Sequence, residues 1–273
     1  MFFLAQVLAS CYISVMWKNI IVVLGLALFV KHVCLPKGSP YAVWVYVAAL
    51  VALAVLQWWC IKKQRLAAAR EYLDKGWDTV HEHIVDTFGE PERVWSIKDE
   101  EDETVFVIPP SPERNFITLV TFGKWAHSMN VPDEHAEKYA SHAEFLITLP
   151  PDWPQEKLKW AARLLRIVAN MPCIEDSWFC PGHTLSFEQE DTLTDDTEQT
   201  GILLLTPDHI APQDATISLP YDEKLTFLQL VLLYPEEMEF LHRQPLGTIP
   251  PEIEQLPRVV DLHRPRIPLP SPD

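Results

Sequence analysis

No aspartate or glutamate occurs in the first 70 residues of this 273-residue chain, although 38 follow. That absence excludes an ordinary mixed-charge surface for the front of the molecule. Glycine is scarce, with eight in all, which leaves little room for a phosphate-cradling loop. There is no HExxH, CxxC or GxSxG, so the chain offers no zinc-protease helix, dithiol pair or nucleophile elbow. The five cysteines, an odd number, form no paired framework and suit a reducing compartment. Cys173 and Cys180 lack metal-like spacing to any histidine and are expected to be small buried thiols. No internal repeat is visible.

What the front does contain is apolar. Residues 41–61 form 21 positions without a charge, with Tyr41, Trp44, Trp58 and Trp59 near the ends. At about 1.5 Å per helical residue this length crosses a hydrocarbon core of about 30 Å. Residues 13–33 are expected to form a first span, with Lys18 snorkelling beside Trp17, and Pro36–Pro40 a tight turn. The front (1–63) therefore reads as a two-helix transmembrane hairpin in contact with the lipid bilayer. Lys62, Lys63, Arg65 and Arg70 follow the second span, which by the positive-inside rule puts the following domain in the cytoplasm. The expected location is the inner membrane, multi-pass. A lipoprotein-type signal around Leu8–Cys11 competes, but nothing basic precedes it.

Beyond Arg70 the balance reverses. Seven of the 22 bases lie before Glu71, leaving 15 against 38 acids and a formal charge of −23. Such a body repels phosphates, so nucleic acid is not an expected partner and a basic protein is. Residues 64–245 read as one α+β domain, a single mixed sheet-and-helix body with about six strands and three helices. Apolar spacing near 3.6 predicts a juxtamembrane helix over 64–88, ended by Gly89 and Pro91. Strands are expected at 104–108, 116–122, 143–149, 183–187, 201–205 and 225–233, and the acidic run 99–103 as a solvated loop or edge. Pro154 opens a helix that Pro172 should end, and Pro235 opens another with acids in its first turn. The tail, 246–273, is rich in proline and is expected to be a solvated extension or a ligand for a proline-binding module.

Few residues invite chemistry. His81 and His83 point to different sides of a helix. His135 and His142 lie near Asp133 and Glu137, yet their segment reads as a polar surface loop, so no metal or other cofactor is expected. Pro181 and Gly182 form a Pro-Gly turn that presents His183 at the start of a strand, with His183 either fixing that turn or acting as a base. Trp125, Trp153, Trp160 and Trp178 are core-sized, although one at a groove rim could anchor a partner. Glu188, Glu190, Asp191, Asp195, Asp196 and Glu198 form either a charged contact loop or a solvated one. No catalytic residue is indicated.

Set in order, TLVTFGKW (118–125), AEFLITLPPDW (143–153), ARLLRIVA (162–169), PGHT (181–184), GILLLTP (201–207) and FLQLVLLYPEEMEF (227–240) resemble the suppressor-of-fused domain in its bacterial form. The resemblance covers roughly 72–245, with Lys124-Trp125 a departure from its pattern. It implies an α+β fold, no enzyme activity and protein binding, by strand addition in the animal protein and as immunity proteins against toxins in bacterial relatives. The expected function is thus a membrane-anchored binder of a basic toxin or effector. A membrane-bound regulatory scaffold for an endogenous protein is the alternative, and a hydrolase using His183 the third.

Overall fold

The computed structural model describes residues 42–97, 100–187, 194, 196–245 and 248–269. Its helices and strands group into two units, residues 1–74 and 75–273. Helix α1 (Ala42–Phe88) begins in the first and ends in the second.

In the first unit, Trp44, Leu50, Val51, Trp58 and Trp59 are exposed. The Lys62 and Lys63 ammonium groups stand over the Trp58 and Trp59 rings at 5.2 and 5.5 Å. No helix among the described residues is long and apolar enough to cross a membrane. The uncharged run instead continues without a break into turns bearing Lys62, Lys63, Arg65 and Arg70, as the front of a mixed helix rather than a bounded span. This overturns the expected multi-pass inner-membrane location. The expected first span, 13–33, lies outside the described residues.

The second unit is built on one sheet. Its strands are β1 (Arg93–Ile97), β2 (Glu100–Ile108), β3 (Ile117–Phe122), β4 (His142–Leu149), β5 (Thr184–Ser186), β6 (Gly201–Leu205), β7 (Thr216–Ser218) and β8 (Lys224–Leu233). The order is β1-β2-β3-β4-β8-β6-β5, with β7 paired to the start of β8; all pairs are antiparallel except β4 with β8. Strand alternation sends successive side chains to opposite faces. Val105, Val107, Leu119, Phe145, Ile147, Leu228 and Leu230 meet helix α2 (Gln155–Ile174) through Leu158, Ala161, Leu165 and Val168. On the other face Phe106, Phe122 and Phe227 meet the end of α1 through Trp77, His81, His83 and Phe88. Further along that face, Leu203, Leu205, Val231 and Leu233 carry α3 (Pro235–His242) and α4 (Pro251–Glu254).

Helix ends follow local chemistry. Gly89 adopts φ 100° and its N–H donates to Val85 O at 2.9 Å, closing α1 as a left-handed cap. In α3 the Tyr234 N–H donates to Glu237 Oε2 at 2.9 Å, behind Pro235 at the first position. Pro172 does not stop α2: it sits buried inside the last turn, and the helix runs on to Ile174. The acidic run expected as a loop or edge instead starts the strand β2, at Glu100 in the outer hairpin of the sheet.

Gly76 has a packing role. A Cβ there would lie 2.2 Å from Cζ3 of Trp125, whose ring is 2 % exposed. Gly76→Ala gains up to about 1 kcal/mol of helix propensity but overpacks by roughly 1–3 kcal/mol, so a net loss of stability is expected in urea unfolding.

The proline-rich tail is not a solvated extension. Ile253, Leu256, Val260, Leu262 and Arg264 are buried. Pairing of β4 with β8 stops at Leu146 and Gln229. Beyond that point the tail takes over beside β4: Thr148 bridges Val259 in parallel, and the Val260 N–H donates to Thr148 O at 2.8 Å. Thr148 Oγ1 donates to Arg258 O at 2.6 Å, and Gln229 Nε2 donates to Thr148 Oγ1 at 2.9 Å. On the neighbouring segment, Thr197 Oγ1 donates to Leu262 O (2.7 Å) and Gln199 Nε2 to Asp261 O (3.0 Å). Prolines do not prevent this, because the segment needs only a few bonds at one edge.

Candidate functional site: an aromatic edge beside β5

The residues that drew attention in the sequence separate into three places. His81 meets Phe106 and Phe122, whereas His83 stacks on Phe227 at 5.3 Å, on different sides of α1 as their spacing requires. His142 is buried at the start of β4 with Nε2 3.1 Å from Glu223 Oε2. Burial lowers its pKa, against the pull of Glu223. Two residues further along β4, Glu144 is wholly enclosed, accepting bonds from the N–H groups of Gly123 and Trp125 (each 2.9 Å) and from Thr121 Oγ1. Among the described residues, no group of three or more His, Cys, Asp or Glu side chains is placed to hold a metal ion.

His135 belongs to the third place, together with His183. Its ring lies 6.0 Å from Tyr139 and 5.4 Å from Trp178, and Trp178 lies 4.8 Å from His183. Two stretches, 135–139 and 178–183, thus form one half-buried patch of two imidazoles, a phenol and an indole. The Pro-Gly turn does fix His183: Gly182 takes φ 95°, its N–H donates to Leu204 O at 2.7 Å, and the His183 N–H donates to Cys180 O at 3.1 Å. Burial lowers the His183 pKa, so the ring is neutral at pH 7. Cys180 is buried beneath, and desolvation pushes its thiol up to about 11. Cys173, expected to be buried, is exposed at the end of α2, beside the likewise exposed Ile174. Of the tryptophans, Trp125 is core, while Trp153, Trp160 and Trp178 pack on the core's margin.

The patch adjoins β5, a terminal strand of the sheet. Leu204 N–H donates to His183 O and Phe187 N–H to Thr200 O, so positions 183, 185 and 187 face β6. By alternation, the N–H and C=O groups of Thr184 and Ser186 point away from it. Among the described residues no strand pairs with that side. Sequence reasoning singled out His183 and Trp178 separately; the approach of His135 and Tyr139 to them comes only from packing.

The acidic contact loop is described in part. Asp196 lies 3.5 Å from Lys157 Nζ, and Glu198 bonds Arg266. Glu188, Glu190, Asp191 and Asp195 lie outside the described residues.

No curated protein matches the chain in sequence. Among solved structures it is similar to a Sufu–Fu complex at 18 % identity, covering 62 % of this chain and 80 % of that one, with a TM-score of 0.44. It is similar to Drosophila Suppressor of Fused at 15 % identity, with a TM-score of 0.42, covering 62 % of this chain and 43 % of that protein. A putative homologue from Neisseria gonorrhoeae shares 16 % identity over 64 % of this chain and 85 % of its own, with a TM-score of 0.42. The sequence profile of the Suppressor of fused protein (SUFU) family matches residues 99–265, which extends past the expected limit at 245 to include the inserted tail. That match covers more than half of the chain, which therefore belongs to the suppressor of fused family.

Proposed function

We propose that the chain is a protein-binding module that takes an extended segment of its partner along β5. The observation that carries this reading is the pair of outward-facing backbone positions, Thr184 and Ser186, beside the patch formed by His135, Tyr139, Trp178 and His183. Main-chain bonds along a strand edge supply affinity, and flanking aromatic pockets supply selectivity. Family membership supports binding rather than catalysis, since one relative was solved as a Sufu–Fu complex.

Peptides selected from a random display library against the full chain provide the test. Bound peptides should slow amide exchange at Thr184 and Ser186, and Ser186→Pro, which removes one outward N–H, should weaken them at least tenfold. Protection elsewhere, with binding unchanged in folded Ser186→Pro, would sink the reading.

The finer reading makes the partner a basic toxin or effector, supported by the −23 charge from Glu71 onward. Opposite potentials speed encounter and weaken with salt. In this reading Glu188, Glu190, Asp191, Asp195, Asp196 and Glu198 form the contact loop. A basic protein encoded beside this one should co-purify at low salt and be lost when the six acids are neutralised. Failure to co-purify favours the alternative, a scaffold for an endogenous protein.

A further inference from the structure

A second, polar site lies on the opposite face of the sheet, between the end of α1 and the loop joining β6 to β7. It is a cavity of about 400 Å³, lined by His83, Asp86, Thr87, His209, Ala211 and Asp214 among others. That volume falls within the range of sites that hold small ligands or a single large side chain. Helical spacing brings His83, Asp86 and Thr87 to one face of the last turns of α1. A short helical turn, Pro212–Ala215, presents Asp214 opposite them.

The groups in this cavity are fixed rather than adaptable. His83 Nε2 lies 2.8 Å from Asp214 O, and since a carbonyl only accepts, this nitrogen carries the proton and donates. The His83 ring is held flat on Phe227, 28° from parallel. His209 is wedged edge-on against Phe116 at 5.1 Å and tilted against Phe88 at 5.9 Å. Both of its ring nitrogens are buried and have no hydrogen-bond partner among the described residues. Burial lowers its pKa to about 4, so at pH 7 it offers one donor and one acceptor without charge. Asp208 lies 3.8 Å from His209 Nδ1 and is engaged by Arg258 Nε at 3.4 Å.

Asp86 and Asp214 are different. Both line the cavity, and neither carboxylate is paired with a base among the described residues. Arg114 acts on His209 from one side, so it is the Asp86 and Asp214 side of the cavity that is negative, rich in acceptors and walled by a flat imidazole. A planar cation with several donors meets all three properties, whereas a compact ammonium satisfies only the charge.

We propose that this cavity is a binding site for a guanidinium group, presented by an arginine of a protein partner. The site is separate from the β5 edge and stands independently of that reading. A guanidinium would bond the Asp86 and Asp214 carboxylates and lie against the imidazole of His83.

Calorimetry and the imidazole carbon–proton signals of the full chain test this with N-acetyl-arginine methylamide as probe. The neutral citrulline analogue, the lysine analogue and Zn²⁺ serve as comparisons. Saturable binding that shifts His83 and His209 is expected, with the lysine analogue at least threefold and the citrulline analogue at least tenfold weaker. Asp86→Asn/Asp214→Asn should lose at least tenfold in affinity while keeping its melting temperature within a few degrees. Equal binding of citrulline, or affinity unchanged in the folded double variant, overturns the proposal. So does Zn²⁺ displacing the arginine probe at lower concentration. Arginine-containing peptides that bind at least tenfold tighter than the single residue assign the site to a partner protein. Equal affinities overturn that assignment and leave a free guanidino compound as the ligand.

Discussion

Arg264→Ala should remove roughly 3–5 kcal/mol of stability, because it strands a buried carboxylate. Glu237 is 0 % exposed, and Arg264 meets both of its oxygens: Nη1 reaches Oε1 at 2.7 Å and Nη2 reaches Oε2. The same guanidinium donates to Leu232 O at 3.0 Å and stands 4.9 Å over the Tyr234 ring. Tyr234 returns a bond, its hydroxyl donating to Arg264 O at 2.6 Å. For a unit of this size the loss lowers the melting temperature by on the order of 10 °C. Arg264→Lys should fall between, since an ammonium cannot grip both oxygens and the carbonyl together. Arg266 is the internal control. It pairs with Glu198 and Glu236 but is exposed, so Arg266→Ala should cost at most about 1 kcal/mol. Equal effects of the two alanine variants in thermal and urea unfolding would contradict this account of the tail.

The second large effect concerns Glu144. Desolvation raises its pKa from 4.5 to about 7, although Thr121, Trp125, Gly123 and Lys124 pull the other way. A raised folded pKa means that the native state holds the proton more tightly than the unfolded chain. The resulting stability is therefore full below about pH 4.5 and is lost as the pH rises towards about 7. A shift of this size corresponds to about 3 kcal/mol. Glu144→Gln keeps an acceptor for Gly123 and Trp125 without the charge, so the stability of wild type relative to this variant should fall by about that amount between pH 4.5 and 8. His142 moves oppositely: its lowered pKa costs stability as pH falls below about 6.5, in both proteins alike, and cancels in the difference. Glu144→Ala removes the acceptor from three donors and should cost on the order of 4 kcal/mol near pH 5. The loss should shrink at pH 8, where the buried charge is relieved. A pH-independent difference between wild type and Glu144→Gln, followed by denaturant titration, would show that the carboxyl titrates normally.

How much of this was legible depended on whether the signal was local. The runs TVFVI, ITLVTF and GILLL are dense in β-branched and aliphatic residues, and each lies in a strand. The periodic face of α2 needs no tertiary information, and Leu158, Ala161, Leu165 and Val168 are buried as their spacing requires. The strands that escaped notice, β1 and β7, are short and gain their shape from a neighbour: Val94 is exposed, and Thr216–Ser218 exists only beside β8. In the tail, prolines masked a sparse apolar series whose justification, Glu237 and the free flank of Thr148, lies far away in sequence. The same limit hid the patch at β5, where His135 and Tyr139 come from a different segment from Trp178 and His183. Charge was the weakest guide to structure, for the acids at the start of β2 lie within a strand rather than in a loop. The uncharged run in α1 misled in the opposite way: its continuation into a charged helix, rather than its composition, decided the outcome.

The inserted tail also bears on how the chain reaches its fold. Thr148 and Arg258 are 110 residues apart, and Arg264 closes over Leu232 and Glu237 across about thirty. Contacts of such long range are formed only after the loops between them have been drawn in, which slows folding relative to helical domains of equal size. Until that closure, the flank of β4 at Thr148 is an open strand edge, the surface most prone to pairing between molecules. A fragment cut at 245 would carry that edge permanently. Expression of the second unit should therefore run through at least Arg266, and aggregation of shorter fragments would report a missing seal rather than a poor core.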